Sequence, residues 1–387
     1  MKPIAILAAT SGHSGVDRVI GNLVRQFSTQ GIAVDLLKVR NHGPHLSADD
    51  LPGVRRVDLG SAHVNTALPA LVRYLRRERP RALLTDKDKV NRMAILARAL
   101  ARTDTRLAVR IGTTVSVNLA SRKAFERWLQ RTSMGRLYPM ADRVIVPSAG
   151  AADDLAHYTG LSRDHIQVVA SPIVTRELKR RAAEPVDHPW LGDPQCPLVL
   201  GVGELGYRKD FETLLRAFAL VRRERPCRLI ILGRGRRREA LLALAAELGV
   251  AEDLDLPGFH PNPLAFMARA DLFVLSSRWE GMPVVLIEAL AVHTPVVSTD
   301  CPSGPREMLR DEGLGTLVPV GDVEGMAKAI RSWLDAPRPG GDFERAVAPY
   351  RVEVSACAYL KVLGVPCPAD AGEAVGVAGG TQAAVMQ

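Results

Sequence analysis

The chain has 387 residues, 47% of them hydrophobic, 24% charged and 5% aromatic. That length supports two domains with full-sized cores and excludes a disordered, collagenous or disulfide-stapled chain. The formal charge of +9 is uneven, with 30 Lys+Arg against 18 Asp+Glu in residues 1–193 and 21 against 24 in residues 194–387. A basic first half fits nucleic acid, an anionic membrane or a phosphorylated substrate, and equally fits Arg-rich solvated helix faces.

Short apolar runs alternate with helical patterns. Ile4 to Ala9 reads as a strand, and residues 15–30 as a helix with Val19, Ile20, Leu23, Val24 and Phe27 on one face. Strands follow at Val34–Val39, Ala82–Thr85, Leu107–Ile111, Val144–Pro147 and Ile166–Val169, with helices at Leu68–Arg77 and Arg92–Arg102. Residues 175–197, rich in Arg, Pro and Asp, read as a linker. The alternation then restarts. Strands are expected at Leu198–Leu200, Leu229–Leu232, Leu272–Leu275 and Val296–Ser298, with helices at Phe211–Arg223, Glu239–Leu248, Val284–Val292 and Val323–Leu334.

This is an α/β pattern of two doubly wound, Rossmann-like domains facing a cleft. The expected boundaries are residues 1–174 for the first domain, 175–197 for the linker and 198–342 for the second domain. A C-terminal helix follows at 343–363, with scope to cross back to the first domain. A Gly/Ala/Val-rich tail at 364–387 is expected to be disordered. No apolar run approaches the ~20 residues of a membrane span, and Ile4 to Ala9 is too short for a secretory signal. Cys196, Cys227, Cys301, Cys357 and Cys367 are scattered. That spacing fits a reducing cytoplasm and argues against a disulfide framework or structural metal.

Ser276-Ser-Arg-Trp-Glu-Gly-Met-Pro-Val-Val-Leu-Ile-Glu-Ala-Leu290 carries the most information. It follows a strand and opens a helix, with Pro283 suited to the first turn. The free N–H groups there make an anion site. Glu280 falls in the loop facing the cleft, and Glu288 falls inside the helix, where a carboxylate can accept hydrogen bonds from a ribose diol. The bland alternative is a corner with two solvated glutamates.

This segment, preceded by A-D-L-F-V-L-S-S and followed by T-P-V-V-S-T-D and G-P-R-E, resembles the signature of the retaining glycosyltransferases of family 4. The resemblance spans most of residues 198–335. It extends more loosely to Ser14-Gly-Val-Asp-Arg18 and Ala141-Asp-Arg-Val-Ile-Val-Pro-Ser148. It implies a GT-B fold, a nucleotide-sugar held mainly by the second domain, a glycan or lipid-linked acceptor at the first, and no metal or other cofactor. The activity implied is sugar transfer in cell-surface polysaccharide or lipopolysaccharide synthesis. The resemblance gives Glu288 the ribose hydroxyls and Glu280 the donor sugar or diphosphate region, with Gly281, Met282 and Val284 beside them.

Gly201-Val-Gly-Glu-Leu-Gly206 matches the dinucleotide fingerprint and supports a rival reading as an oxidoreductase. Against that reading, Asp210 looks like the helix N-cap, four residues late, and the next strand ends in Gly233-Arg-Gly-Arg without an acid for a ribose. The family pattern uses the same loop for an Arg and a Lys that hold the donor diphosphate. Lys209 fits the Lys, beside Gly203. Glu204 stands at the Arg position, with Arg208 a candidate substitute. That departure keeps open a catalytically silent sugar-nucleotide-binding protein.

Gly12 and Gly15 bracket the first strand–helix loop and permit close approach of a ligand. His13 in that loop, and Arg110 and Thr113 near the Leu107–Ile111 strand end, are candidates for contacting acceptor or donor sugar; each is equally readable as structural or solvated. Glu307 reads as a helix-start residue. The arginines of 234–238 either steer an anionic donor or are solvated. No nucleic-acid motif appears. Residues 121–138 mix Arg122, Lys123, Arg127, Arg131 and Arg136 with Phe125, Trp128, Leu129, Met134, Leu137 and Tyr138. These aromatics either lie on an anionic bilayer, as in a protein peripheral to the inner face of the cytoplasmic membrane, or pack into the core.

Overall fold

The structure, a computed structural model, describes residues 2–9, 15–39, 51–120, 122–193, 195–309, 313–335 and 341–368. Gly12, His13 and Ser14, Ser121, and the tail from 369 on lie outside the described residues.

The first half builds a seven-stranded parallel sheet from β1 (Ile4–Ala8), β2 (Val34–Lys38), β3 (Val54–Asp58), β4 (Ala82–Asp86), β5 (Arg106–Arg110), β6 (Arg143–Val146) and β7 (Ile166–Val168). Their order is β3-β2-β1-β4-β5-β6-β7. Helices cover both faces: α1 (Gly15–Thr29), α2 (Leu68–Glu78), α3 (Asp88–Ala101), α4 (Val115–Leu119), α5 (Ala124–Leu137) and α6 (Ala149–Thr159). β1 and β4 are buried along their whole length. Burial on both faces is why such central strands read as unbroken apolar runs.

α7 (Glu177–Ala183) lies in the segment expected to be a plain linker. Its buried Leu178 and Ala182 give it an apolar face too short to register as periodicity.

The second sheet has six parallel strands, β8 (Leu198–Val202), β9 (Arg228–Leu232), β10 (Leu254–Gly258), β11 (Leu272–Leu275), β12 (Val296–Thr299) and β13 (Gly315–Val318). They run β10-β9-β8-β11-β12-β13. Its helices are α8 (Phe211–Glu224), α9 (Arg238–Leu248), α10 (Pro263–Met267), α11 (Val284–Ala291), α12 (Pro305–Met308) and α13 (Val323–Asp335). Both sheets reverse strand order between adjacent strands, β1/β4 and β8/β11. Loops after those strands open the crevice where ligands of doubly wound sheets bind.

Three strands escape the sequence pattern: β3, β10 and β13. β3 is an edge strand with exposed Arg55 and Arg56, so it lacks an apolar run. β10 carries Pro257, tolerated because it too is an edge.

After α14 (Phe343–Val347), α15 (Val352–Val362) packs on α1 of the first domain. Arg106 Nε donates to Val362 O at 2.8 Å, and an isolated bridge joins Val174 to Arg351. Cys357 and Cys367 form a disulfide, with Cα atoms 5.3 Å apart. This corrects the reading of the scattered cysteines, because ten residues in sequence return to the same spot around the end of α15. Cys196, Cys227 and Cys301 are free. Among the described residues no helix is long and apolar enough to cross a membrane.

Candidate active site

The loop after β8 and the loop after β11 meet at the switch point of the second sheet. Lys209 Nζ donates to Glu280 Oε1 at 2.8 Å and Arg208 Nη1 to Glu280 Oε2 at 2.6 Å. Ser277 Oγ adds a third bond to Oε1 at 2.8 Å. Glu280 is buried, so it is not the solvated corner residue of the bland reading. Burial pushes its carboxyl upward, but the Lys209 ammonium, the Arg208 guanidinium and these hydrogen bonds together outweigh that, and the net value lies below the usual carboxylate range.

Glycines shape this loop. The Lys209 side chain lies across Gly203, where a Cβ would come within 2.7 Å of Lys209 Cε. Gly233 passes so close that a Cβ there would fall 1.8 Å from Gly203 O. The Gly233-Arg-Gly segment is therefore a backbone support for the loop. Gly201 packs under Phe211 and Leu214. α8 opens after Asp210, which stands at the N-cap position with φ +47°. Its carboxylate does not cap the helix backbone; it accepts from Thr213 Oγ1 at 2.8 Å and Arg278 Nη2 at 3.0 Å. Glu204, at the departed Arg position, is exposed.

Glu288 lies two turns on, inside α11, and is also buried. Its Oε1 is ion-paired with Arg18 of α1, in the other domain. Its Oε2 is buried with no hydrogen-bond partner among the described residues. Burial raises this carboxyl above its ordinary value, and the nearby Arg18 and Arg181 only partly oppose that. At Gly15 a Cβ would sit 3.7 Å from Val284 Cγ2, so the two helix starts abut.

A seam joins the domains beside the two glutamates. Thr114 Oγ1 donates to Glu280 O at 2.6 Å and Ser148 Oγ to Gly281 O at 3.1 Å; Ser303 Oγ, from the second domain itself, donates to Glu280 O at 2.9 Å and lies 2.8 Å from Thr114 Oγ1 across the seam. A Cβ on Gly281 would lie 2.3 Å from Gly112 O and 2.6 Å from Thr113 Cα. Thr113 is thus at the cleft rim and exposed. Met282 is buried. Glu307 does not serve its own helix; its oxygens accept from Ala149 N and Gly150 N, both at 2.9 Å, at the start of α6.

Arg110 corrects the expectation of a sugar contact. It is buried and fully committed, to Asp86 Oδ2 at 2.5 Å, Tyr359 Oη at 2.9 Å and Ser171 Oγ at 3.1 Å. It anchors α15 to the first sheet. Of the 234–238 arginines, Arg237 pairs with Glu212 and Arg238 with Glu239.

Arg18, Ser277, Thr114 and Ser303 are site residues that the sequence reading did not select. Arg18 and Ser277 carry a signal, since they fall in the Ser14–Arg18 and Ser276–Leu290 segments of the family resemblance.

Residues 190–347 match the family model for glycosyl transferases group 1, and residues 14–172 that for the glycosyl transferase 4-like domain. The chain is similar to the N-acetylgalactosamine-N,N'-diacetylbacillosaminyl-diphospho-undecaprenol 4-alpha-N-acetylgalactosaminyltransferase of Campylobacter jejuni, 32% identical over 248 residues. That alignment covers 64% of this chain and 65% of the relative. It is also similar to the lipopolysaccharide core biosynthesis glycosyltransferase LpsE of Rhizobium meliloti, 39% identical over 38% of this chain and 42% of that protein. The chain therefore spans less than two thirds of the length of either relative. Among solved structures, Anabaena Alr3699/HepE in complex with UDP superposes with a TM-score of 0.73 at 15% identity, over 94% of this chain and 99% of that one. The fold is GT-B, and each of its two domains matches a glycosyltransferase family model.

Proposed function

We propose that the protein is a retaining glycosyltransferase that moves a sugar from a nucleotide-sugar to a glycan or lipid-linked acceptor in cell-surface polysaccharide or lipopolysaccharide synthesis. The observation that carries this reading is the pair of buried carboxylates at the switch point of the second sheet. Glu280 is clamped by two cations, and Glu288 holds an unpaired acceptor oxygen. A ribose hydroxyl satisfies that oxygen. Lys209 and Arg208 face the place where a diphosphate leaving group gathers charge. These two cations do the work a divalent metal does in other phosphate sites, so the reaction needs none.

In the reaction the sugar's anomeric C–O bond to the diphosphate breaks through an oxocarbenium-like transition state. The acceptor oxygen bonds to that carbon from the same face, and its proton passes to the departing phosphate. Glu280, held by three donors, orients the cations and the sugar and is not a free nucleophile. The relatives support the reading through their printed activities, a hexosamine transfer onto an undecaprenyl-diphosphate-linked sugar and lipopolysaccharide core synthesis. The Anabaena neighbour's bound UDP makes a uridine diphosphate donor the first to try.

The dinucleotide reading finds no support in these comparisons. Gly203 and Gly201 serve Lys209 and Phe211 in this structure. A thermal-shift panel of nucleoside diphosphates, nucleotide-sugars and nicotinamide dinucleotides tests the choice. Stabilisation by nicotinamide dinucleotides alone would overturn the proposal. Product analysis by NMR, showing the donor's anomeric configuration kept, tests retention. Binding without turnover across donors and acceptors would assign a silent binding protein instead.

A further inference from the structure

α5 carries three large apolar side chains on its outer face. Phe125 is 70% exposed, Trp128 58% and Leu129 51%. Their spacing of three and four residues puts them on one stripe. Met134 is the buried residue of the helix. At about 100° per residue it lies on the opposite side from Phe125. Every residue from 122 to 129 is exposed, so neither the core nor a neighbouring helix covers the stripe. The rings of Phe125 and Trp128 stack at 5.9 Å, which makes a single apolar knob. The core-packed alternative is therefore excluded for Phe125 and Trp128, while Tyr138 and Met134 from the same stretch do pack into the core.

Cations flank the knob along α5 and the turn before it, Arg136 on the same side of the helix as Phe125 and Arg127 and Arg131 on the other. Arg122, Lys123, Arg127, Arg131 and Arg136 are all exposed, against one carboxylate, Glu126, which is 3.9 Å from Arg122. An apolar stripe on a soluble surface calls for a partner. One edged by arginines, whose stems lie along apolar surface while their heads reach outward, matches an anionic bilayer.

We infer that α5 docks this protein on an anionic membrane surface, with Phe125, Trp128 and Leu129 entering the interface and the surrounding cations on lipid headgroups. The position serves the site. Thr114, whose hydroxyl bonds Glu280 O, immediately precedes α4, and α5 is the next helix in the chain. The docking helix is thus one short helix away from the seam beside Glu280. The surface itself stands apart from the proposed activity; only the lipid-linked nature of the acceptor rests on that reading.

Flotation of the full chain with vesicles tests the inference without turnover. Wild type should float with phosphatidylglycerol-containing vesicles at low salt, about tenfold or more in excess of pure phosphatidylcholine, and lose this at high salt. Phe125→Ser/Trp128→Ser should cut partitioning by about tenfold or more with an unchanged melting temperature, because both side chains are exposed. Arg122→Gln/Arg136→Gln should lose the preference for anionic lipid while keeping weak binding. Failure of wild type to bind anionic vesicles at low salt overturns the inference, as does equal binding by the Phe/Trp variant. Self-association that this variant abolishes, without vesicle binding, would give the stripe to a second copy of the chain and equally overturn it. Loss of flotation with intact transfer to a soluble acceptor, or the reverse, tells the failure of this inference from the failure of the enzymatic reading.

Discussion

Arg18, on the first helix of one domain, is ion-paired with Glu288, inside a helix of the other. The pair crosses the cleft at the carboxylate that also has an orphan oxygen. In the proposed function, nucleotide binding and this contact between the domains share one residue. Glu288→Ala should weaken nucleoside diphosphate and nucleoside alike, by about tenfold, since a lost diol contact acts on both. Arg18→Ala should change nucleotide affinity while leaving the Lys209 and Arg208 contacts in place. Calorimetric titration checks both, and unchanged affinity in Glu288→Ala would remove the ribose role.

The two glutamates should respond oppositely in stability. Glu280 titrates below the usual range, so its pairing stabilises the fold above ~4.3 and is lost as pH falls through the lower folded value. Glu288 titrates above its ordinary value; its contribution is present in acid and lost as pH rises through the raised value. At neutral pH, Glu280→Gln should cost about 3 kcal/mol, because it strands the buried Lys209. Glu288→Gln should be neutral or stabilising, since Arg18 is half-exposed and can turn to solvent. Denaturation curves of both variants decide this.

Lys209→Ala should weaken a nucleoside diphosphate by at least about tenfold while leaving the nucleoside nearly unaffected. Gly203→Ala should imitate it and also lower stability, because the added methyl meets the buried Lys209 side chain as far in as Cγ and displaces it from Glu280. Equal losses for both ligands would show Lys209 to be structural.

Gly281→Ala should act on the seam. Its methyl would meet backbone at Gly112 and Thr113, which cannot give way as a side chain can. Turnover should fall by about tenfold or more as the Glu280 loop is pushed from the first domain. Kinetics beside a binding titration check it, with nucleotide affinity expected to hold.

Both sheets were legible in the sequence where strands are buried on both faces, and Glu280 and Glu288 where a strand end, a loop and a helix start follow in order. Three kinds of feature were not. Edge strands such as β3 and β10 have no apolar run to read. Contacts between distant segments, such as Arg18 with Glu288 or Glu307 with the start of α6, leave no trace in local spacing. Arg110 shows the converse: a cation at a strand end looks available, and only the return of α15 with Tyr359 buries it. The same holds for Cys357 and Cys367, whose pairing depends on how the chain leaves α15.

The central claim is sugar transfer at the Glu280 cluster. Nucleoside diphosphate release, measured for the full chain against a panel of nucleotide-sugars with and without a chelator, tests it most directly. Wild type should release the diphosphate from at least one donor, unaffected by the chelator, and Glu280→Gln should be about 100-fold slower while still binding the nucleotide. Wild-type release in Glu280→Gln, or none from any donor in the native chain, would contradict the account.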